Sequence, residues 1–425
     1  MLLLLGTFVI LIMARAPIAF ALLISSVAYL THYGGVPLRV VTQRMAAGPD
    51  SFPLLAVPLF IMAGSLMNTG GITERIFDFA RTLVGHWTGS LGHVNILASI
   101  IFSGMSGAAI ADAGGLGVIE IEAMRAEGYD DEFSVAITAA SSTIGPIIPP
   151  SIPMVVYGVV AGVSVGGLFI GGVIPGLLMA LSLGIMVYYY AVKRNYPKHP
   201  RATLPELWQS LKSSFLPLMT PVIIIGGIFT GVFTPTEAAV VAVIYAAILG
   251  TVIYKELTLQ DLHRILLDTV ETTASVMLIV ATASIFGWIL AREQIPQLVA
   301  AGLLGVTRNP YALLFLINIF LLIVGCFMET TAALTILIPV LLPTVTSVGV
   351  DPLHFGLVMI LNLMIGLLTP PLGMVLNVLV SVSKVPFEDV ARATMPFLVP
   401  LIVVLFLITY IPGLVLWLPR VVMGL

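Results

Sequence analysis

Long runs of Leu, Ile, Val, Phe and Ala recur from residue 2 almost to residue 425, broken at short intervals by Gly, Pro and small groups of charge. About 20 apolar residues in a helix cross a bilayer core, and a helix satisfies its own backbone where no water is available. Ten crossings are predicted, over residues 2–13, 17–33, 54–68, 133–163, 166–192, 215–230, 237–254, 269–290, 355–383 and 394–417. Two further stretches, 93–125 and 311–347, have polar, Gly-containing centres and are predicted as re-entrant hairpins, because irregular backbone at membrane depth needs protein or water around it. Residues 73–85 and 294–304 are too short or too polar to span and are predicted as interfacial arm helices.

Composition agrees with the pattern. The 425 residues are 59% hydrophobic and 9% charged, against about 25% charged in a soluble domain, so a lipid bilayer is the expected solvent. The first apolar run has neither a basic leader nor a small-residue cleavage motif and is expected to stay as the first helix. A net charge of −3 gives no reason to expect nucleic acid as a partner. The single Cys326 excludes an intrachain disulfide and a Cys-based metal site. There is no G-x-x-x-x-G-K-[ST] loop, hence no sign of nucleotide-driven pumping.

One offset of 221 residues brings two halves of the chain into register: Gly104 meets Gly325, Gly128 meets Gly349, Asp130 meets Asp351, Pro149-Pro150 meets Pro370-Pro371, and Pro175 meets Pro396. The shared G-x-x-x-P-P, written G-P-I-I-P-P at 145–150 and G-L-L-T-P-P at 366–371, makes chance a poor explanation. The organisation expected is N-terminal scaffold helices over 1–50, a first repeat over 51–192, a cytoplasmic connection over 193–213, scaffold helices over 214–264, and a second repeat over 265–425. Each repeat holds an arm helix, a hairpin and a broken helix, the latter at 133–163 and 355–383.

Charge orients these elements. The densest basic loop, Lys193, Arg194, Lys198, Arg201 and Lys212, is expected to be cytoplasmic. Counting crossings from it puts Arg15, Arg75, Arg81, Arg125, Lys255, Arg264, Lys384 and Arg392 inside as well, and Arg39, Arg44, Arg292, Arg308 and Arg420 outside, a split of 13 to 5. Both termini come out periplasmic. An odd number of crossings separates the repeats, so the second is inverted, with the first hairpin entering from the cytoplasm and the second from outside. The fold expected is therefore an all-α polytopic membrane protein of two inverted-topology repeats.

In such proteins ligands bind near the midplane, where broken helices expose carbonyls to cations and N-terminal dipoles to anions. Three prolines within residues 145–150 remove donors and prevent a continuous helix. Carbonyls of Gly145, Ile148 and Pro150, with hydroxyls of Ser103 and Ser106 at the first hairpin tip, form a candidate Na⁺ site, since oxygen-only ligands suit a hard cation. By pseudosymmetry Gly325, Gly366, Thr369 and Pro371 form a second. Hydroxyls of Ser106, Ser151 and Thr330 and the Glu329 carboxylate are candidate substrate contacts. Acidic residues inside apolar stretches are costly, which marks Asp112 and Glu329 as ion, proton or substrate ligands or else as helix caps. Glu237 opens a helix after Pro235 and is expected to cap it.

The segments S-G-M-S-G-A-A (103–109), Ala111-Asp112, G-P-I-I-P-P-S (145–151) and F-T-P-T-E-A-A (233–239) together resemble the large membrane subunit of the TRAP (tripartite ATP-independent periplasmic) transporters. The resemblance runs over essentially the whole chain. It implies Na⁺-coupled uptake of organic acids, among them C4-dicarboxylates and sialic acids, handed over by a periplasmic substrate-binding protein. It also implies residence in the bacterial inner membrane, a separate small four-helix membrane subunit as partner, and an elevator mechanism in which hairpins and broken helices move against a scaffold. The competing reading is an autonomous Na⁺/organic anion symporter without a binding protein. An intramembrane enzyme using Asp112 and Glu329 as an acid pair is disfavoured, because no nucleophile and base accompany them.

Overall fold

The computed structural model describes residues 2–14 and 16–424. Met1, Arg15 and Leu425, and with them the expected sidedness of Arg15 and of the termini, lie outside the described residues. The chain is helical from end to end, and no strand occurs among the described residues. Three long helices begin with the same reciprocal cap, in which a threonine side chain accepts from the third backbone N–H and the acid there accepts from the threonine backbone. Thr203 with Glu206 starts Leu204–Phe229, Thr234 with Glu237 starts Pro235–Ile248, and Thr258 with Asp261 starts Leu259–Arg292. The first and third therefore begin well before residues 215 and 269, where the apolar runs begin. Polar caps start these helices outside the apolar zone.

Among the described residues seven helices are long and apolar enough to cross a membrane singly, or eight if the bent pair Ile295–Val306 and Pro310–Gly325 counts as one span. The expectation of ten crossings differs for three physical reasons. The spans 133–163 and 355–383 are broken as expected, and each half, Asp131–Ser142 and Ile152–Ala161, Pro352–Gly366 and Met374–Ser383, is too short to cross singly. Leu2–Met13 and Ile18–Tyr33, at 12 and 16 residues, are short for a crossing. Thr330–Ser347, expected as a hairpin arm, is itself long enough. The predicted final span 394–417 is also corrected: Phe387–Tyr410 stops ahead of Pro412, and Gly413–Met423 is a separate helix, because the residue before a proline is driven out of helical geometry.

The two halves repeat in detail. Gly128 donates to Arg125 O at 3.0 Å and Tyr129 to Met124 O at 3.0 Å; 221 residues on, Gly349 donates to Thr346 O at 3.0 Å and Val350 to Val345 O at 3.1 Å. Both glycines are left-handed, with φ of 80° and 84°, where a side chain would be strained. Pro149-Pro150 and Pro370-Pro371 are both cis.

The helix preceding each break forms the centre. Residues 133–142 and 353–366 are buried without exception, the polar Ser134, Thr138, Ser141, Ser142, His354 and Asn362 included. Each following half-helix packs against the hairpin of the other repeat, Ile152–Ala161 on Thr330–Ser347 and Met374–Ser383 on Ala109–Gly114. Outward faces carry exposed apolar stripes such as Leu177, Leu181, Ile185 and Tyr188 on Val165–Arg194, as lipid contact requires.

Candidate functional site

Each hairpin tip sits against the break of its own repeat. Helix Ser90–Ser106 ends at Gly107, whose φ of 64° turns the chain. The Gly107 carbonyl accepts from Ile152 N at 3.2 Å, and a Cβ on Gly107 would lie 2.8 Å from Pro150 O. In the second repeat the Cys326 carbonyl accepts from Leu372 N at 3.3 Å. A Cβ on Gly325 would lie 3.0 Å from the Gly366 Cα, so the two backbones touch. Small residues are what permit such an approach between helices. The first break is seated in the same way, because a Cβ on Gly172 would collide with the Ile147 carbonyl oxygen.

The carbonyls of Gly145, Ile148 and Pro150 accept no hydrogen bond among the described residues. Those of Gly325 and Pro371 are likewise free, whereas Gly366 O accepts from Thr369 N at 3.0 Å. Thr369 Oγ1 donates to Ile365 O at 3.0 Å, and Ser103 Oγ to Ile100 O at 2.6 Å. Both hydroxyl oxygens keep lone pairs. Ser106 Oγ donates to Asp112 Oδ1, and the other Asp112 oxygen, buried and without a partner, points at Gly145, where a Cβ would come within 2.5 Å of it. Unbonded carbonyls, hydroxyls and a carboxylate oxygen thus lie along the first break and its hairpin tip, a donor set that suits a hard cation. No cluster of His, Cys, Asp and Glu with the makings of a transition-metal site occurs among the described residues.

A cavity of about 400 Å³ lies between the tips. Its walls include Ser65, Ser106, Ala108–Ala111, Pro146, Thr272, Ser275, Glu329, Thr330 and Met364, and no Lys or Arg. Three of the expected substrate contacts, Ser106, Glu329 and Thr330, therefore share one cavity. Thr330 Oγ1 is buried without a partner, and Glu329 caps helix Thr330–Ser347 by accepting from Ala332 N at 3.0 Å. Ser151 is elsewhere: fully buried, it caps Ile152–Ala161, donating to Pro146 O at 2.6 Å and accepting from Met154 N at 3.2 Å. Glu237 is exposed in its capping box, away from the cavity.

Other residues here were not singled out in sequence. Asn95 donates to Glu120 Oε2 and to Thr138 Oγ1, both at 2.7 Å, and accepts from Ser141 Oγ at 2.6 Å. Glu120 is only 1% exposed, and its second oxygen has no partner. In sequence it alternates with Glu122 next to Arg125, which reads as a solvated helix end. Asn95, polar within an apolar run, is a signal that was available. Thr272 and Ser275 of Leu259–Arg292 also line the cavity.

The sequence model of the family described as "Tripartite ATP-independent periplasmic transporter, DctM component" matches residues 5–414. The chain belongs to this family. It is a TRAP transporter large permease, an integral membrane transporter and not an enzyme. Among its relatives, the "Sialic acid TRAP transporter large permease protein SiaM" of Vibrio cholerae is 52% identical over 414 residues, 97% of each chain. The "C4-dicarboxylate TRAP transporter large permease protein DctM" of Pseudomonas aeruginosa is 38% identical over 383 residues, 90% of each. The crystal structure of the Alcanivorax borkumensis YdaH transporter has the same fold, with a TM-score of 0.65 at 14% identity over 88% of this chain and 89% of that one.

Proposed function

We propose that this TRAP permease imports an organic acid, handed over by a periplasmic substrate-binding protein, across the bacterial inner membrane together with Na⁺, and works with a small four-helix membrane subunit. The observation that carries the reading is the meeting of two hairpin tips and two helix breaks around one cavity, with unbonded carbonyls at both breaks. Such carbonyls need a ligand, and a hard monovalent cation is the one their chemistry fits. The cavity has no fixed cation of its own. Bound Na⁺ and half-helix N-termini would attract the anion, each dipole contributing about 0.3–1 kcal/mol, so delivery by a binding protein raises the local concentration where site affinity is low. A sugar acid of the sialic class is favoured over a C4-dicarboxylate, because the sialic acid permease is the more similar relative, at 52% against 38%. The cavity is lined by the tips and breaks together with Thr272 and Ser275 of the unbroken helix Leu259–Arg292. A lining shared between hairpins, broken helices and an unbroken helix supports an elevator motion in which hairpins and broken helices move against a scaffold.

The test is uptake into proteoliposomes under an imposed Na⁺ gradient. Uptake is expected only when the small subunit and the cognate binding protein are both present, and only with Na⁺ outside. Full uptake by the chain alone would establish the autonomous symporter, and uptake indifferent to Na⁺ would remove the coupling.

A further inference from the structure

A second cavity, of about 410 Å³, includes Arg44, Ser284, Trp288 and Thr335 in its walls. It stacks on the first along the same three helices. On Ile152–Ala161 the first cavity uses Ile152 and Pro153 and the second Val159 and Val160; on Leu259–Arg292 the first uses residues from Thr272 to Ile279 and the second residues from Val280 to Trp288. Thr330 and Thr331 give way in the same sense to Thr335 and Pro339. At 1.5 Å per residue the centres lie roughly 10–15 Å apart.

The inner cavity has a carboxylate and no cation among its lining residues; the second has a cation and no carboxylate. The Arg44 guanidinium stands 5.5 Å from the centre of the Trp288 ring, and Arg292 leans on the same ring at 5.7 Å. Stacking on one indole orders two long side chains and leaves their N–H edges free. Neither guanidinium has a salt-bridge partner among the described residues. Arg44 is held there by a close contact: its short helix, Arg39–Ala47, ends at Gly48, where a Cβ would lie 2.9 Å from Ser284 Cβ and 3.1 Å from Val280 O.

We infer that this second cavity is an anion vestibule, in which Arg44, ordered by Trp288, binds the carboxylate of a small organic acid before it reaches the inner cavity. The ligand is a free carboxylate and not an acidic side chain of a docked protein, because the site is a concave pocket continuous in its walls with the substrate cavity. That this mouth faces the periplasm rests on the import reading.

The experiment uses the full chain in lipid nanodiscs with Trp87, Trp208 and Trp417 replaced by Phe, so that Trp288 is the sole indole reporter. No binding protein is added, and the probes are sialate, succinate and the neutral polyol mannitol. A saturable change in Trp288 emission is expected with one or both acids and none with mannitol. Arg44→Gln should raise the midpoint about tenfold, the loss of one charged hydrogen-bonding partner, and Arg44→Lys should restore part of it. Arg44 is exposed, so the variants should fold as the parent does. A flat titration, or one unmoved by Arg44→Gln, overturns the vestibule. So does an Arg44→Gln variant whose uptake changes only in its dependence on binding-protein concentration, since Arg44 would then meet the delivering protein. Uptake by the unmodified chain with its partners reports the import reading separately, so a failure of either can be told from a failure of the other.

Discussion

Asn362 donates from its side-chain amide to both the backbone and the side-chain oxygen of Asn318, each at 3.0 Å. The bond ties the helix before the second break to the first arm of the second hairpin. Asn318 in turn donates to Thr409 Oγ1 at 3.0 Å. The same tie occurs 221 residues earlier, where Ser141 stands at the position equivalent to Asn362 and bonds Asn95 of the first hairpin. All four residues are buried, so each hairpin is fixed to its broken helix by a polar clamp in an apolar surrounding. Asn362→Leu leaves the Asn318 side-chain oxygen without its donor and should cost about 1–2 kcal/mol. The check is a lower thermal unfolding midpoint of the purified protein; an unchanged midpoint would show that the clamp contributes nothing to stability.

The contact between Gly325 and Gly366 has no room for a side chain. A Cβ on Gly366 would lie 2.5 Å from Gly325 Cα and 2.6 Å from its carbonyl carbon, all backbone atoms that cannot swing aside. Gly366→Ala should push the second tip off its break and abolish uptake, with a stability loss of about 1–3 kcal/mol from overpacking. Gly302→Ala is the control, because a Cβ there meets nothing within 4 Å. Equal uptake by the two variants would dismiss the tip-to-break contact as a working part.

Thr369 tests the side-chain share of the proposed second cation site. Its hydroxyl donates to Ile365 O and keeps its lone pairs, so Thr369→Ala removes an oxygen that Thr369→Ser retains. The Na⁺ concentration for half-maximal uptake should rise in the alanine variant and stay near the parent's in the serine variant. The same comparison applies to Ser103→Ala.

The paired breaks were legible because proline chemistry is local: three prolines within residues 145–150, and Pro370-Pro371 in the second repeat, cannot sit in a continuous helix. The bounds of two short helices were legible as well, since Ile72–Val84 and Ile295–Val306 lie within two residues of the segments 73–85 and 294–304. What depended on three-dimensional packing was not legible. Hydroxyls are common in membrane helices because they can bond back to their own carbonyls; Thr269 does so, to Ile265 O at 2.7 Å, while Thr272 one turn on lines the cavity. Nothing in the residues flanking the two threonines separates them. Helix Arg39–Ala47 has too few apolar residues to read as a span, yet it delivers Arg44. Ser151 belongs to a conspicuous motif, but its hydroxyl serves the helix start next to it.

Acid should loosen the junction between the first hairpin and the loop around residue 196. Asp130 Oδ2 accepts from the Tyr196 hydroxyl at 2.6 Å and from Arg194 Nη1 at 2.7 Å. The Tyr196 bond, and after it Arg194, holds this carboxyl below the usual aspartate range. A carboxyl depressed in the folded state stabilises the fold above its unfolded value of about 3.9, and that stabilisation is lost as pH falls through the folded value. Asp130→Asn should therefore lower the thermal midpoint at about pH 7, and the gap between parent and variant should narrow as pH falls below about 3.9 and through the folded value. A gap between parent and variant that persists at the lower pH would argue against this linkage.

The proposed inversion of the repeats makes the sharpest topological demand, because it requires two positions with the same local structure to face opposite sides of the membrane. Ala126 and Ser347 are 221 residues apart, each the last residue of a hairpin helix and each exposed. Each is followed two residues later by a left-handed glycine, Gly128 and Gly349, and then by Asp130 or Asp351 at the start of the next helix. A parallel duplication would put both on one side. In an inverted pair the first faces the cytoplasm with Lys193, Arg194 and Lys198, and the second faces the periplasm with Arg308. In a Cys326→Ser background, Ala126→Cys and Ser347→Cys introduced singly should behave oppositely toward a membrane-impermeant maleimide. Ser347→Cys should label in intact cells with the outer membrane permeabilised, and Ala126→Cys only after the inner membrane is opened. Lys198→Cys should follow Ala126→Cys. Labelling of both equivalent positions from the same side would overturn the inverted arrangement, whatever the uptake assays report.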